Sequence, residues 1–265
     1  MLRISRKLKI FSFILLAACA FFLIIDEVLA EKNISTDFSN IFMDGNKFYK
    51  EGNYSKAIES YENLIKSGCA DGVLYYNLGN AYESIGETGK AIAMYERAKK
   101  YVPRDKDLNY NLNLIKPQLK DISKPFILLM PFIYIYNAFA VEELLFITEV
   151  LYLGVALFII ILILTKRENI LHLSKIFLYI LIPLFIYFGF MLGIRIYDNE
   201  YNKYCVVIEK EGIVYSGPGE NYQIQFKIPE GAKLQFLKTQ EENWVKVKLP
   251  NGDSGYIEDK AIIGI

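Results

Sequence analysis

Apolar residues along this chain gather in runs, and each region has its own spacing. Ile10 to Ile25 is apolar apart from Ser12, Phe126 to Val141 carries no charge, Leu144 to Leu164 contains only Glu149, and Ile176 to Ile194 is uncharged. Between the first two runs, apolar positions recur at three- and four-residue intervals, the mark of amphipathic helices. Beyond Tyr204, short alternating runs mark strands instead. Leu144–Leu164 has 21 residues and Ile176–Ile194 has 19. At about 1.5 Å per residue both match a bilayer core. The pattern predicts a multidomain membrane protein: an all-α region, a transmembrane α-hairpin and a small all-β region.

The first thirty residues read as a secretory signal peptide. Arg3, Arg6, Lys7 and Lys9 precede the apolar core, and Val28-Leu29-Ala30 offers small residues for cleavage. Two alternatives remain: an uncleaved anchor, and acylation of Cys19 in the lipobox-like Leu16-Ala17-Ala18-Cys19.

Residues 38–105 contain a repeat of period 34, pairing Gly45 with Gly79, Asn46 with Asn80, Phe48 with Tyr82, Gly52 with Gly86, Ala57 with Ala91 and Tyr61 with Tyr95. The period and pattern resemble the tetratricopeptide family. Its copies are 38–71 and 72–105, the second the fuller, with Tyr75, Leu78, Gly79, Tyr82, Ala91, Tyr95, Ala98 and Pro103 at the expected positions. Small residues are expected where helices A and B of a pair approach, aromatic ones beside them, and Leu108, Leu112 and Ile115 on a closing helix that ends at residue 116. The resemblance implies a concave A-helix wall for a protein partner, formed by Phe42, Asn46, Lys50, Tyr76, Asn80 and Glu83, with Tyr110 on the closing helix. An asparagine amide can hold a peptide backbone through one donor and one acceptor; the competing reading is that the two Asn bond within the array or to water. The wall lacks the several Lys or Arg that capture of a C-terminal carboxylate would use.

Between the spans, Thr165 to Lys175 reads as a loop bearing Lys166, Arg167 and Lys175. Positive charge places that loop in the cytoplasm and both flanking domains outside, in the periplasm or at the cell exterior. Glu149, near the start of its span, reads as interfacial. Phe126–Val141 (126–141), broken by Pro131 and Asn137, is read as an interfacial or re-entrant segment with Phe132, Tyr134, Tyr136 and Phe139 at headgroup level. A third crossing is the alternative and would reverse the C-terminal domain.

From residue 203 to 265, five short strands are predicted, at Cys205–Ile208, Gly212–Tyr215, Lys233–Leu237, Trp244–Lys248 and Gly255–Ile257. Val214, Gly217, Pro218, Tyr222, Phe226, Glu230-Gly231, Trp244–Val247 and Gly252–Ile257 resemble bacterial SH3-like barrels, departing from them at Tyr215, where Arg is usual. Trp244 reads as a core-edge residue before a ligand contact. Tyr215, Tyr222 and Tyr256, with Trp244, form a candidate SH3-like surface for proline-rich peptide or cell-wall glycan and stem peptide.

The chain has 265 residues, 30 Lys+Arg against 30 Asp+Glu, one His and three Cys. This balance excludes the basic footprint of nucleic-acid binding. Removing the leader's four basic and two acidic residues leaves 26 against 28, a net charge of −2. Cys19, Cys69 and Cys205 have no metal or disulfide-framework spacing, so Cys69 and Cys205 are expected as free thiols. Lone His172 falls in the loop between the spans, away from both outward domains, so their Ser and Cys residues have no partner base, and Gly217-Pro-Gly219 lacks the Lys and helix of a phosphate loop. No enzyme, cofactor or metal is expected.

Taken together, the domain order resembles the BatE-like proteins of the Bat aerotolerance operon. That resemblance implies a scaffold in the bacterial inner membrane, beside membrane proteins of the same operon with von Willebrand A-type domains, serving tolerance of oxygen or oxidative stress. The alternative is an envelope anchor or sensor whose SH3-like domain binds peptidoglycan.

Overall fold

The computed structural model describes residues 36–117, 130–241 and 243–265. The leader, with its cleavage and acylation alternatives, lies outside them, as do residues 126–129 of the uncharged stretch. The described residues fall into two compact units, one of Val141–Ile194 and one that joins the segments on either side of it.

In the larger unit, α1 (Thr36–Lys50) and α2 (Tyr54–Lys66) form one helical pair, α3 (Gly72–Ser84) and α4 (Thr88–Tyr101) a second, and α5 (Lys106–Ile115) closes the array. Three of these helices start on side-chain caps: Asn53 accepts the Lys56 N–H, Asp71 those of Val73 and Leu74, and Asp105 that of Leu108. Gly52 and Gly86, at φ +76° and +80°, make the A–B turns. The 34-residue period is repeated in the contacts. A Cβ on Gly45 would lie 2.6 Å from the Tyr61 ring, and one on Gly79 would lie 2.5 Å from Tyr95. Lys56 sits over Phe48 and Lys90 over Tyr82, each 5.5 Å from the centroid. Helix α5 acts as a third A helix, because its buried Leu108 and Leu112 stand one period beyond buried Leu74 and Leu78.

The C-terminal segment is one antiparallel sheet in the order β3-β2-β6-β5-β4-β1-β7. Its strands are β1 (Tyr204–Val207), β2 (Glu211–Tyr215), β3 (Ile224–Pro229), β4 (Lys233–Glu241), β5 (Trp244–Lys248), β6 (Ser254–Glu258) and β7 (Ile262–Gly264). All seven contribute to one core, including Val207, Val214, Ile228, Leu234, Val247, Ile257 and Ile262, so the sheet must curl round it. Seven strands replace the five expected. β3 buries only Ile228, and β7 has three residues, so neither carries a strong alternating signal.

The two folded parts of this unit share a core. Val206 of β1 is buried with the helical residues, and Ile263 and Ile265 pack against them. This explains why α4 buries eight side chains or glycines along its length whereas α2 buries Ala57, Tyr61 and Leu64 only. Contact is close enough to demand glycine: a Cβ on Gly89 would lie 2.7 Å from the Ile208 Cα. The Gly89 N–H, in the first turn of α4, donates to the Glu230 carboxylate at 2.6 Å. Arg97 donates through Nη2 to the Gly264 carbonyl at 2.6 Å. Glu96, 6% exposed, accepts from Lys116 at 2.7 Å and from Lys233 of β4 at 2.8 Å.

Helix α6 (Met130–Ala138) spans nine residues, roughly 13 Å, short of a bilayer crossing. Three of its region's four aromatics are engaged with protein. Tyr136 donates to Asp198 and lies under Arg195, and Phe139 lies under Arg104. Tyr134 is exposed, and Phe132 stacks on Tyr136.

The smaller unit contains α7 (Val141–Leu164) and most of α8 (Glu168–Tyr201), both long and apolar enough to cross a membrane. Ring pairs Tyr152–Phe185 and Phe158–Phe177 make them antiparallel. The expected eleven-residue loop shrinks to Thr165–Arg167, and His172 and Lys175 lie on α8. Charge ends the apolar run there without ending the helix, since Glu168 suits a first turn and the helical spacing continues through Leu171 and Ser174.

Burial alone would raise the Glu96 carboxyl, but Lys233 and Lys116 outweigh it and hold it at about 2. Its folded value lies below the ordinary 4.5, so its stabilisation is present above pH 4.5 and lost as pH falls from there toward 2. With allowance for the partly exposed lysines, the contribution is on the order of 2 kcal/mol. Denaturant unfolding of Glu96→Gln is therefore expected to show lower stability at pH 7 and a flatter decline between pH 4.5 and 2 than wild type, and parallel curves would contradict it.

Candidate partner-binding groove and aromatic face

The A helices build a wall whose polar groups repeat with the period of the array. Tyr61 OH donates to Asn46 Oδ1 at 2.7 Å, and Tyr95 OH approaches Asn80 Oδ1 at 2.6 Å. The next A helix adds a second donor each time: Asn77 Nδ2 to Asn46 at 2.9 Å, and Asn111 Nδ2 to Asn80 at 3.2 Å. Burial, with Tyr49 nearby, pushes the Tyr61 hydroxyl up to about 12, and burial with the Glu83 carboxylate raises Tyr95 further. Both phenols therefore remain protonated donors at neutral pH.

An amide oxygen has two acceptor sites, and at Asn46 these bonds fill both; at Asn80 the Asn111 amide fills one, and the single Tyr95 proton is shared between Asn80 and the equally near Glu83 carboxylate. Of the two readings open for Asn46 and Asn80, these bonds are those of an amide oxygen held within the array. The Asn80 side chain also bonds to the Tyr76 hydroxyl, which opposes the rise that burial gives that phenol.

Asn46, Tyr49, Lys50, Tyr61, Asn77 and Asn80 line an open hollow of about 250 Å³. Three of the predicted groove residues, Asn46, Lys50 and Asn80, thus converge. Phe42 and Tyr76 are half-buried, packed on the Tyr61 and Tyr95 rings at centroid distances of 6.0 and 5.8 Å. Glu83 accepts from Tyr95 at 2.6 Å, and Tyr110 is 68% exposed on α5. Sequence reasoning missed Tyr49, Tyr61, Asn77 and Asn111. Extending the period into α5 would have found the last two, since Asn111 stands 34 residues after Asn77.

On the sheet, Tyr215 meets Trp244 edge to face at 5.4 Å and pairs across strands with Tyr256. Lys246 lies 5.6 Å from the Tyr256 ring centroid. Trp244 is half-buried and absent from the sheet's central core. Tyr222 lies instead over Gly217 in the β2–β3 turn, where a Cβ would stand 2.4 Å from its ring. Docking uses β1, β7, the β3–β4 turn and Lys233 at the start of β4, whereas Tyr215, Trp244 and Tyr256 lie on β2, β5 and β6. Cys69 and Cys205 are both free thiols, and burial, then Asp259, pushes Cys205 up to about 12.

These features define a helical-repeat array joined to a curled seven-stranded antiparallel sheet, with two helices long enough to cross a membrane. The family Bacterial SH3 domain matches residues 210–262, and the family Tetratricopeptide repeat matches residues 73–104. No curated protein matches the chain. Among solved structures, the type III secretion chaperone SycD of Yersinia enterocolitica, crystallised with a peptide of the translocator YopD, is similar over 63% of this chain and 98% of its own length. Identity is 14% and the TM-score is 0.29, too loose a superposition to inform the site.

Because the asparagine carbonyls hold adjacent helices together, Asn46→Ala and Asn80→Ala are each expected to cost roughly 1–3 kcal/mol. Exposed Lys50→Glu and Tyr110→Ala should stay within about 0.5 kcal/mol of wild type. Denaturant titration of the four variants checks the contrast.

Proposed function

We propose that the protein is a non-enzymatic, membrane-anchored scaffold that grips a protein partner on its A-helix wall. The carrying observation is the repeated asparagine rail, of which Asn46, Asn77 and Asn80 line an open hollow beside Lys50 and Tyr49. The tetratricopeptide and bacterial SH3 matches support a binding role, and α7 and α8 support an anchor. Lys166, Arg167 and Lys175 favour a cytoplasmic turn between the helices, which puts both binding regions outside the inner membrane. The narrower reading, a Bat-type envelope complex with von Willebrand A-type membrane proteins of one operon, rests on resemblance of domain order alone.

A second reading, peptidoglycan binding by the sheet, is favoured by the bacterial SH3 match and the clustered Tyr215, Trp244 and Tyr256. It is compatible with the first, since the two surfaces lie on different elements.

Cross-linking followed by affinity purification of the detergent-solubilised full chain tests the groove. Lys50→Glu/Tyr110→Ala is expected to lower recovery of a specific partner at least fivefold, and unchanged recovery would overturn the assignment. For the sheet, the full chain should sediment with purified cell wall and Tyr215→Ala, at the centre of the aromatic cluster, should sediment less. Absence of cosedimentation would remove that reading. The full chain is required because Val206, Ile263 and Ile265 leave an apolar face on an isolated sheet.

A further inference from the structure

A second hollow, about 400 Å³, opens where α4, the end of α5, α6, the last turns of α8 and β4 meet. Five cations line it, Lys99, Lys100, Lys116, Arg195 and Lys233, against two carboxylates, Glu96 and Asp198. The carboxylates are already committed. Glu96 takes Lys116 and Lys233, and Asp198 takes the Tyr136 hydroxyl and the Asn202 amide. Lys99 and Lys100 form no ion pair among the described residues. The guanidinium of Arg195 lies 4.8 Å over the Tyr136 ring, and its buried Nε has no hydrogen-bond partner there.

Five positive charges against two negative leave three, held close together and partly shielded from water. Such an arrangement is self-repulsive. Burial first, then Lys116 and Lys233, lowers Lys99; burial, then Lys233, Arg97 and Arg195, lowers Lys100; Glu96 opposes both shifts. The neighbouring Glu96 bridge is complete without Lys99 and Lys100. A bound anion would offset the repulsion.

We propose that this hollow is a binding site for a phosphate group. A single carboxylate would leave most of the charge unmatched, whereas a phosphate offers several acceptor oxygens and one to two negative charges to the ammonium groups and to the Arg195 fork. Two sources share this chemistry, a lipid headgroup and a soluble phosphate. Residues Arg195 to Asn202 directly follow the apolar stretch of α8, which places part of the lining next to a membrane-facing segment in the sequence.

The test uses the full chain in neutral detergent, comparing wild type with Lys99→Gln/Lys100→Gln and with Arg195→Gln. Thermal unfolding is followed with inorganic pyrophosphate against chloride at matched ionic strength, and with phosphatidylglycerol against phosphatidylcholine in mixed micelles. Wild type should be stabilised, and the lysine variant should bind at least tenfold more weakly. Without added anion, the lysine variant should melt at or above the wild-type temperature, because repulsion is relieved; a purely structural pair would melt lower. A response to pyrophosphate assigns a soluble ligand, and one confined to phosphatidylglycerol assigns a headgroup. No stabilisation by either, or equal stabilisation of all three proteins, overturns the site. Should the lysine variant fail to fold, Arg195→Gln carries the same comparison.

Discussion

The Glu96 carboxylate is the constraint around which the larger unit is assembled. It is buried on α4 between Lys116, just past α5, and Lys233 of β4, so one ionised group ties helical pair, closing helix and sheet together. A buried ion is tolerated only while its partners stay in place, and removing one typically costs several kcal/mol. The repeat period shows where the device comes from. Glu62, one period earlier, accepts from Tyr82 of the next A helix, and Lys116 stands one period after Tyr82. The bond that joins one repeat to the next thus recurs at the end of the array, with Lys233 of the sheet added to it.

That addition answers a physical difficulty of short solenoids, in which each repeat needs a neighbour to bury its face. Two helical pairs have few neighbours. Here the sheet covers the outer side of α4 through Val206, Ile263 and Ile265, while Gly89 and Ile92 admit the Ile208 backbone and Gly231. The A-helix wall and the aromatic strands β2, β5 and β6 stay outside the contact, so docking stabilises the unit without occupying either candidate surface.

Much of this was legible in the residues and some was not, for identifiable reasons. Gly45, Gly79, Tyr61 and Tyr95 announced the helical pairs because close A–B approach leaves a local signature at fixed spacing. The asparagine rail was half legible: Asn46 and Asn80 stood out as a repeat, whereas Asn77 and Asn111 did so only with α5 counted as a third copy. Docking left a fainter trace, a change from Ser55, Glu59 and Ser60 in the first copy to Gly89, Ala93 and Met94 in the second. Those substitutions show that α4 is covered on its outer side but not what covers it. Lys233 and Glu230 could not be paired with α4 from spacing, since their partners lie 137 and 141 residues away. The helix limits of α8 were obscured because charge marks where an apolar run stops, not where a helix does.

Those long separations bear on how the unit forms. Contacts within the helical pairs are local and close early, but the contacts that complete α4 must wait for residues 204–265, on the far side of α7 and α8 in the chain. During synthesis the outer face of α4, with Ile92, Ala93 and Met94, is therefore made long before its cover. Glu96 meanwhile has Lys116 to hold it, so its charge has a partner before the sheet arrives. Lys233 then completes the bridge and aligns the sheet on a repeat already formed. The same contact that stabilises the finished unit also sets its register, and it fixes the separation between the candidate wall and the aromatic face. On the proposed reading, a ligand on one surface would be kept at a set distance from a ligand on the other, a requirement that two tethered domains would meet only on average.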